Sequence, residues 1–376
     1  MGKANEIELN FGRRLSVKSA EEAIRCLATD SDATSDVKLN LSQCRYIDIG
    51  AGWRLGCALR RFKSAGSIEA LVPPPGDFDK RWFLDFTRSG LGFALARYAI
   101  SLTEQGENIT DRMRRYYQMP RSKYASPSPM TPRTWLAENF VLIPDLGNGL
   151  IPLDNITPFR LAIGPLFDFV RIDQQAYNRV DLAALFRLIF EASQNVWDHA
   201  DRPPLPRSTR LLSYLSLRHY RKATVPHEVT SHFECFLNRY RNQLPNDVDT
   251  KGMVEIVVID DGVGIAARHA RRFDIYQGSI EEEQLVVSDA LADGSSIKLK
   301  SQDATVRGQP GFGYAQIRDS LEHLSAFCLV RTGRCMAYFD PTAGNHDFQF
   351  VSESLGYMPG TALQIVLPAR IARVWN

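Results

Sequence analysis

Asp260 stands at the end of an apolar run and is followed by two spaced glycines, a pattern that can hold a ligand. In VEIVVIDDGVGIA, Val254 to Ile259 read as a buried strand, and Asp260, Asp261, Gly262, Val263 and Gly264 follow it. A carboxylate fixed at a strand end is a hydrogen-bond acceptor, and alternating glycines let the backbone approach a planar ligand closely. Turns at strand ends also favour Asp and Gly, so the stretch alone does not separate a ligand site from a turn.

A second stretch, RGQPGFGYAQIRDSLEHLSAF, places Gly308, Gly311 and Gly313 ahead of a helix beginning near Tyr314. Glycines that open a helix leave backbone N–H groups to face phosphate, and the helix dipole adds to the attraction. The same spacing imitates a dinucleotide fingerprint. That fingerprint needs a strand directly before the glycines, and the polar SSIKLKSQDATVRG stands there instead.

The third stretch, LFRLIFEASQNVWDHA, is helical by its period. Steps of four and then three residues put Glu191, Asn195 and Asp198 on one face, beside an apolar stripe of Leu185, Leu188, Ile189 and Ala192. The polar trio lies at the border of the core, where an isolated helix would simply solvate it. The fourth stretch, GTALQIVLP from Gly360 to Pro368, reads as a strand with a Gly-Thr start.

In this order the four stretches resemble the N, G1, G2 and G3 boxes of the GHKL ATPase superfamily, across residues 180 to 370. The resemblance implies a Bergerat fold, an α/β sandwich with helices on one face of a mixed sheet, and ATP with magnesium as ligands. It assigns Asn195 to the magnesium ion that bridges the phosphates, a task for a hard oxygen ligand. Glu191 matches the general base of the hydrolytic members, and Asp260 the acceptor for the adenine amino group. Gly262 and Gly264 match the glycines beside the base. Gly308, Gly311 and Gly313 match the phosphate loop, and Thr361 the threonine that supports the adenine site. Asp198 and His199 resemble the pair that ends the N box near the phosphates, with an imidazole capping the helix end as the alternative. Ala266 to Arg307 would be the mobile ATP lid, from which Lys298, Lys300 and Arg307 reach the terminal phosphate, unless their charges simply keep the segment solvated.

Elements upstream must carry something else. DVKLNLSQC reads as a strand, GAGWRLGCALRRFKSAG as a helix and SIEALVPP as a strand with a proline stop, with FLDFTRSGLGFALARYA after them. This order resembles a STAS domain, the small α/β fold of anti-sigma-factor antagonists, over residues 1–100. Phosphorylatable STAS domains have Ser or Thr after the Asp that precedes the helix. Asp48 is followed by Ile49, Gly50, Ala51 and Gly52, which argues for docking rather than a phosphorylation switch. Asp48 is expected to cap the helix, and Gly50 and Gly52 to permit the tight turn into it.

MPRSKYASPSPMTPRTW, rich in Pro and Ser, reads as a linker. Residues 101–175 are therefore expected to be linker and adaptor, with room for a hairpin after Asn139, and residues 176–376 to be the ATP-binding domain. No internal repeat is apparent.

The 376-residue chain is 44% hydrophobic and 23% charged, which suits a globular protein with more than one core. A formal charge of +2 implies neither a nucleic-acid nor a membrane partner by itself. The 6 cysteines show no metal-binding spacing and read as small buried hydrophobes of a reducing compartment. MGKANEIELN carries no apolar signal core, Glu6 stands where myristoylation wants Ser or Thr, and no apolar run spans a bilayer; a soluble cytoplasmic protein is expected. Between the N and G1 boxes, Arg207, Arg210, Arg218, Arg221, Lys222, Arg239 and Arg241 alternate with Tyr214, Tyr220 and Tyr240. A solvated basic excursion is the commoner cause of such a pattern, and a nucleic-acid or partner surface the alternative. The expected function is a magnesium-dependent conformational ATPase or nucleotide switch acting on a protein partner, with a homodimer compatible. An anti-sigma-like protein serine kinase and a non-catalytic nucleotide-binding scaffold remain open.

Overall fold

The computed structural model describes residues 6–29, 35–63, 67–73, 86, 89–99, 101–104, 106–118, 140–142, 157–170, 179–199, 213–220, 231–243, 253–270, 277–292, 313–344, 346–352 and 355–368. The fold is mixed α/β, of the α+β kind, with parallel and antiparallel strand pairs. The chain divides into two compact units: Met1–Glu138 with Leu355–Met358, and Asn139–Ser354 with Pro359–Asn376. Residues 101–118 thus belong with the first unit, and 140–142 and 157–170 with the second.

The first unit runs β1 (Glu6–Asn10), β2 (Arg14–Leu15), α1 (Val17–Ala28), β3 (Asp36–Asn40), β4 (Tyr46–Ile47), α2 (Ile49–Leu59), β5 (Ile68–Val72), α3 (Leu91–Tyr98), β6 (Ser101–Glu104), β7 (Glu107–Asn108) and α4 (Thr110–Gln118). Its main sheet has the order β1-β3-β5-β6-β7, parallel from β1 to β6 and closed by an antiparallel edge. Helix α1 begins with a reciprocal capping box between Ser16 and Ser19, and turns Val17, Ala20, Ala23, Ile24 and Leu27 inward. Glu21 on the same helix meets the fully buried Arg54 of α2 at 3.2 Å.

The turn into α2 differs from the sequence expectation in two ways. Asp48 occupies the N-cap position without a side-chain capping bond, because its Oδ1 accepts from Arg14 Nη2 at 2.9 Å. Gly52 is small for a packing reason rather than a turn reason: a Cβ there would lie 2.6 Å from the Ser89 carbonyl oxygen. Close by, Gly90 adopts a positive φ of 76° with its missing side chain's place filled by the Trp53 ring.

The second unit runs β8 (Phe140–Leu142), α5 (Thr157–Val170), α6 (Arg179–His199), β9 (Ser213–Tyr220), α7 (Ser231–Gln243), β10 (Met253–Asp260), α8 (Ile265–His269), α9 (Ile280–Leu291), α10 (Gly313–Leu324), β11 (Phe327–Gly333), β12 (Cys335–Phe339), β13 (Gln349–Phe350) and β14 (Met358–Pro368). Its sheet has the order β13-β12-β11-β14-β10-β9-β8. The late strand β14 is therefore inserted between β11 and β10, and pairs antiparallel with β10 from Met253↔Pro368 to Asp260↔Thr361. Strand β8 pairs with β9; the rest of the stretch in which a hairpin was considered, residues 143–156, lies outside the described residues.

Alternation gives the sheet two buried faces. Val254, Ile256 and Val258 of β10, Cys328 and Val330 of β11, and Leu363, Ile365 and Leu367 of β14 join one core with Leu185, Leu188, Ile189 and Ala192 of α6 and with Ile317 and Leu321 of α10. Phe159 and Phe190 join α5 to α6 in that core, edge to face at 5.2 Å. The main helical layer covers this face. Helix α7 lies on the other: Phe233 and Phe236 pack on Phe327, and His232 stacks on Tyr338 at 4.1 Å.

Two of the basic residues of the insertion have places in this packing. Arg239 of α7 is held by Asp340 and donates to Thr342 Oγ1 at 3.1 Å. Arg218 is half-buried in β9, directly across from Glu255. The side chains of Arg207, Arg210, Tyr214, Tyr220, Arg221, Lys222, Tyr240 and Arg241 lie outside the described residues.

Candidate functional site

Helices α6 and α10 run antiparallel, and the contacts at their two ends fix that. Asp181 in the first turn of α6 meets His323 in the last turn of α10, Oδ1 to Nε2 at 2.9 Å. At the other end, a Cβ on Gly313 would lie 3.0 Å from Asn195 Oδ1 and 3.4 Å from its Nδ2. The N-terminus of α10, with its outward backbone N–H groups and positive dipole end, therefore opens beside the Asn195 amide.

Asn195 is half-buried, and its Nδ2 is buried without a hydrogen-bond partner among the described residues. A buried amide left unpaired costs about 1–3 kcal/mol, so such a group is a standing preference for a ligand. Glu191, one turn earlier on the same face, is only 6% exposed. Its burial sets it apart from a solvated helix acid. Helix α6 continues through Asp198 and His199, whose side chains lie outside the described residues.

Across the helix-covered face of the sheet, three adjacent strands bring polar side chains into one row: Thr332 at the end of β11, Thr361 on β14 and Asp260 at the end of β10. Thr361 and Asp260 are direct cross-strand partners. Asp260 Oδ1 accepts from the Gly262 backbone N–H at 2.8 Å, which closes an Asx-turn and fixes the carboxylate. Gly264 has φ 83°, and a Cβ there would come 2.9 Å from Thr332 Oγ1 and 3.2 Å from the Gly360 carbonyl. Gly360 has φ 78°, and any Cβ on it would collide with the Asp260 carbonyl. Both glycines are thus required by backbone conformation and by close approach.

Burial first, and then the Asp260 carboxylate, push the phenol of Tyr314, second residue of α10, above the ordinary tyrosine range. Gly313 places this end of α10 beside Asn195.

Of Ala266–Arg307, expected to form the lid, the described parts are the helices α8 and α9 with their flanks. Ala266 and Ala267 of α8, and Val287, Ala290 and Leu291 of α9, are buried. Helix α9 starts with a capping box between Ser279 and Glu282, and its buried Glu283 takes the Arg334 backbone N–H at 3.0 Å and Nε at 2.7 Å. Packing and capping together make this segment part of the scaffold. Lys298, Lys300, Arg307, Gly308 and Gly311 lie outside the described residues.

Two participants escaped the sequence reading. Thr332 sits in an ordinary hairpin strand, FCLVRTGRC, and Tyr314 was seen only as a helix start. The signals available were a Thr-Gly pair at the strand end and an aromatic residue directly after the last glycine.

No protein-family model, no curated protein and no solved structure matches this chain. Among the described residues, no group of three His, Cys, Asp or Glu side chains is placed to hold a metal ion, and no helix is long and apolar enough to cross a membrane.

Proposed function

We propose that the second unit binds ATP with magnesium in the manner of the GHKL superfamily, and that the chain is a nucleotide switch acting on a protein partner. The reading is carried by one observation: the Asn195 amide, its oxygen foremost, meets the glycine that opens α10. Phosphates at a helix N-terminus gain backbone donors and a favourable dipole. Magnesium takes few protein ligands beside phosphate and water, so the single amide oxygen of Asn195 suits it even without a carboxylate cluster. When bound, the ion would neutralise phosphate charge; the protein's part is to hold Asn195 in place through α6. Asp260, fixed by Gly262 and flanked by Thr361, would receive the amino group of adenine.

Glu191 is the proposed general base for hydrolysis, one turn before the amide. The first unit, resembling a STAS domain without a hydroxyl after Asp48, is proposed to dock the partner rather than to accept phosphate.

Calorimetric titration of ATP tests the reading. The wild type should bind ATP more tightly with magnesium than without, and Asn195→Ala should lose most of that difference. Asp260→Asn retains an oxygen for the Gly262 N–H but removes the charge. A hydrogen bond to a charged group is worth about 1.5–3 kcal/mol, so its ATP affinity should fall about 10- to 150-fold. Unchanged affinity in folded Asp260→Asn overturns the adenine assignment. Labelled ATP then separates the outcomes of binding: free phosphate supports a switch that hydrolyses, and label on a partner supports the kinase reading.

A further inference from the structure

The Thr332 hydroxyl is shared among three neighbours. It accepts from the Ile265 backbone N–H at 2.9 Å, donates to the Gly360 carbonyl at 3.1 Å, and lies 3.3 Å from Thr361 Oγ1. It is 1% exposed, so water does not offer it alternatives. Gly264 is the close neighbour that leaves room for it.

A hydroxyl has one proton and two lone pairs. The Ile265 N–H can only donate and the Gly360 carbonyl can only accept, so both of those directions are fixed. The Thr332 proton is committed to Gly360, one lone pair is committed to Ile265, and the remaining lone pair faces Thr361. Thr361 must then be the donor in the contact between the two threonines. Its own proton is turned away from Asp260, and what it presents beside that carboxylate is lone pairs.

We infer that Thr332 is a specificity-positioning residue: by holding the Thr361 proton, it makes the base end of the site a surface of acceptors that selects a ligand edge bearing an amino group. The assignment rests on the nucleotide reading above and deepens it. Asp260 and Thr361 are cross-strand partners, so one ligand edge meets both. Adenine brings the N–H bonds of its 6-amino group to this edge, with the N1 lone pair beside them. Hypoxanthine, the base of inosine triphosphate, keeps one donor, N1–H, but brings a carbonyl oxygen at the 6-position, which meets lone pairs and stays unpaired. A site built around hydrogen bonds discriminates strongly against a base that cannot complete them.

The test compares ATP with inosine triphosphate by calorimetry on the full chain with magnesium. Thr332→Val keeps the shape and removes the hydroxyl. The freed Thr361 proton can then turn to a carbonyl, so inosine triphosphate should gain on ATP, with the affinity ratio falling about tenfold, the scale of one hydrogen-bonding group. General damage to the site would weaken both ligands and produce no such gain. Thr332→Ser keeps the hydroxyl and should restore the wild-type ratio. An unchanged ratio in folded Thr332→Val overturns the assignment while leaving ATP binding intact. Should Thr332→Val not fold, Thr361→Val decides: weaker ATP with no loss of inosine triphosphate supports it, and an unchanged ratio overturns it. If the wild type binds neither nucleotide, the nucleotide reading itself fails, and the assignment with it.

Discussion

Asn195 and Gly313 are in contact range without a side chain between them: the amide oxygen would sit 3.0 Å from a Cβ added to the glycine. The end of one helix and the start of another approach as closely as that glycine allows. Gly313→Ala should therefore displace the Asn195 amide by a few tenths of an ångström while leaving the buried face of α10, with Ile317 and Leu321, in place. ATP affinity should fall and its magnesium dependence shrink, with adenosine binding far less affected. Equal loss for ATP and adenosine in a titration would place the damage at the base end instead.

Glu283 and Arg334 join α9 to the β11–β12 turn. The carboxylate is 1% exposed and accepts from both the backbone N–H and the side chain of Arg334. Removing one partner of a buried ion pair typically costs about 3–5 kcal/mol, because the other charge stays in low dielectric. Arg334→Ala should lower the unfolding free energy on this scale in a denaturant titration. Adding Glu283→Gln, which removes the charge and keeps an acceptor for the Arg334 N–H, should recover most of the loss. Failure of the second change to recover stability would show that the lost contacts of the arginine to the Gly278 and Ser279 carbonyls dominate.

How much of this could be read from the chain depends on how local each signal is. Asp260, Gly262 and Gly264 were legible because their roles lie within five consecutive residues. Thr361 stood out because it follows Gly360 directly ahead of the largely apolar run Ala362–Leu367. Thr332 was not, since its partners Ile265, Gly360 and Thr361 reach it only through the insertion of β14 between β11 and β10. Gly52 was assigned to a turn because Ser89, its actual reason, is brought to it by tertiary packing. In the presumed lid the local signals were present: Ser279 and Glu282 form a capping box, and Val287 and Leu291 share a helix face. Phe233 and Phe236 of α7, which pack in a core, drew no reading beside the arginines around them.

Thiol chemistry separates exposed from buried cysteines. Cys26 and Cys235 are exposed, while Cys44, Cys57, Cys328 and Cys335 are buried. Burial pushes the Cys44 thiol up to about 11 and the Cys335 thiol up to about 12, from an ordinary value of 9.0. A thiol-reactive chromophore should modify Cys26 and Cys235 rapidly at neutral pH and the other four only after unfolding. The raised values also have a sign for stability. Below pH 9 both folded and unfolded thiols are protonated and nothing is lost. Between about pH 9 and 12 the unfolded thiols ionise while the buried ones do not, so stability should fall as pH rises through that window. Replacing Cys335 with Ala should flatten the upper part of the decline in urea midpoints measured against pH.

Glu191 and Asn195 stand one turn apart on one face of α6, and Asn195 meets the start of α10. On the nucleotide reading, the amide would hold the metal and the carboxylate would take a proton from the attacking water. A general base contributes about 10²- to 10⁴-fold, so Glu191→Gln should reduce the turnover of ATP by that factor. Because the glutamine preserves volume in a position only 6% exposed, the helix should stay packed and ATP should still bind. Loss of turnover with retained binding is the signature of an interaction made in the transition state alone. Single-turnover hydrolysis and equilibrium binding, measured on the same preparations with and without a candidate partner, distinguish the cases. A wild-type rate in Glu191→Gln makes the glutamate a structural carboxylate, and a parallel loss of binding and turnover makes it part of the fold of the site.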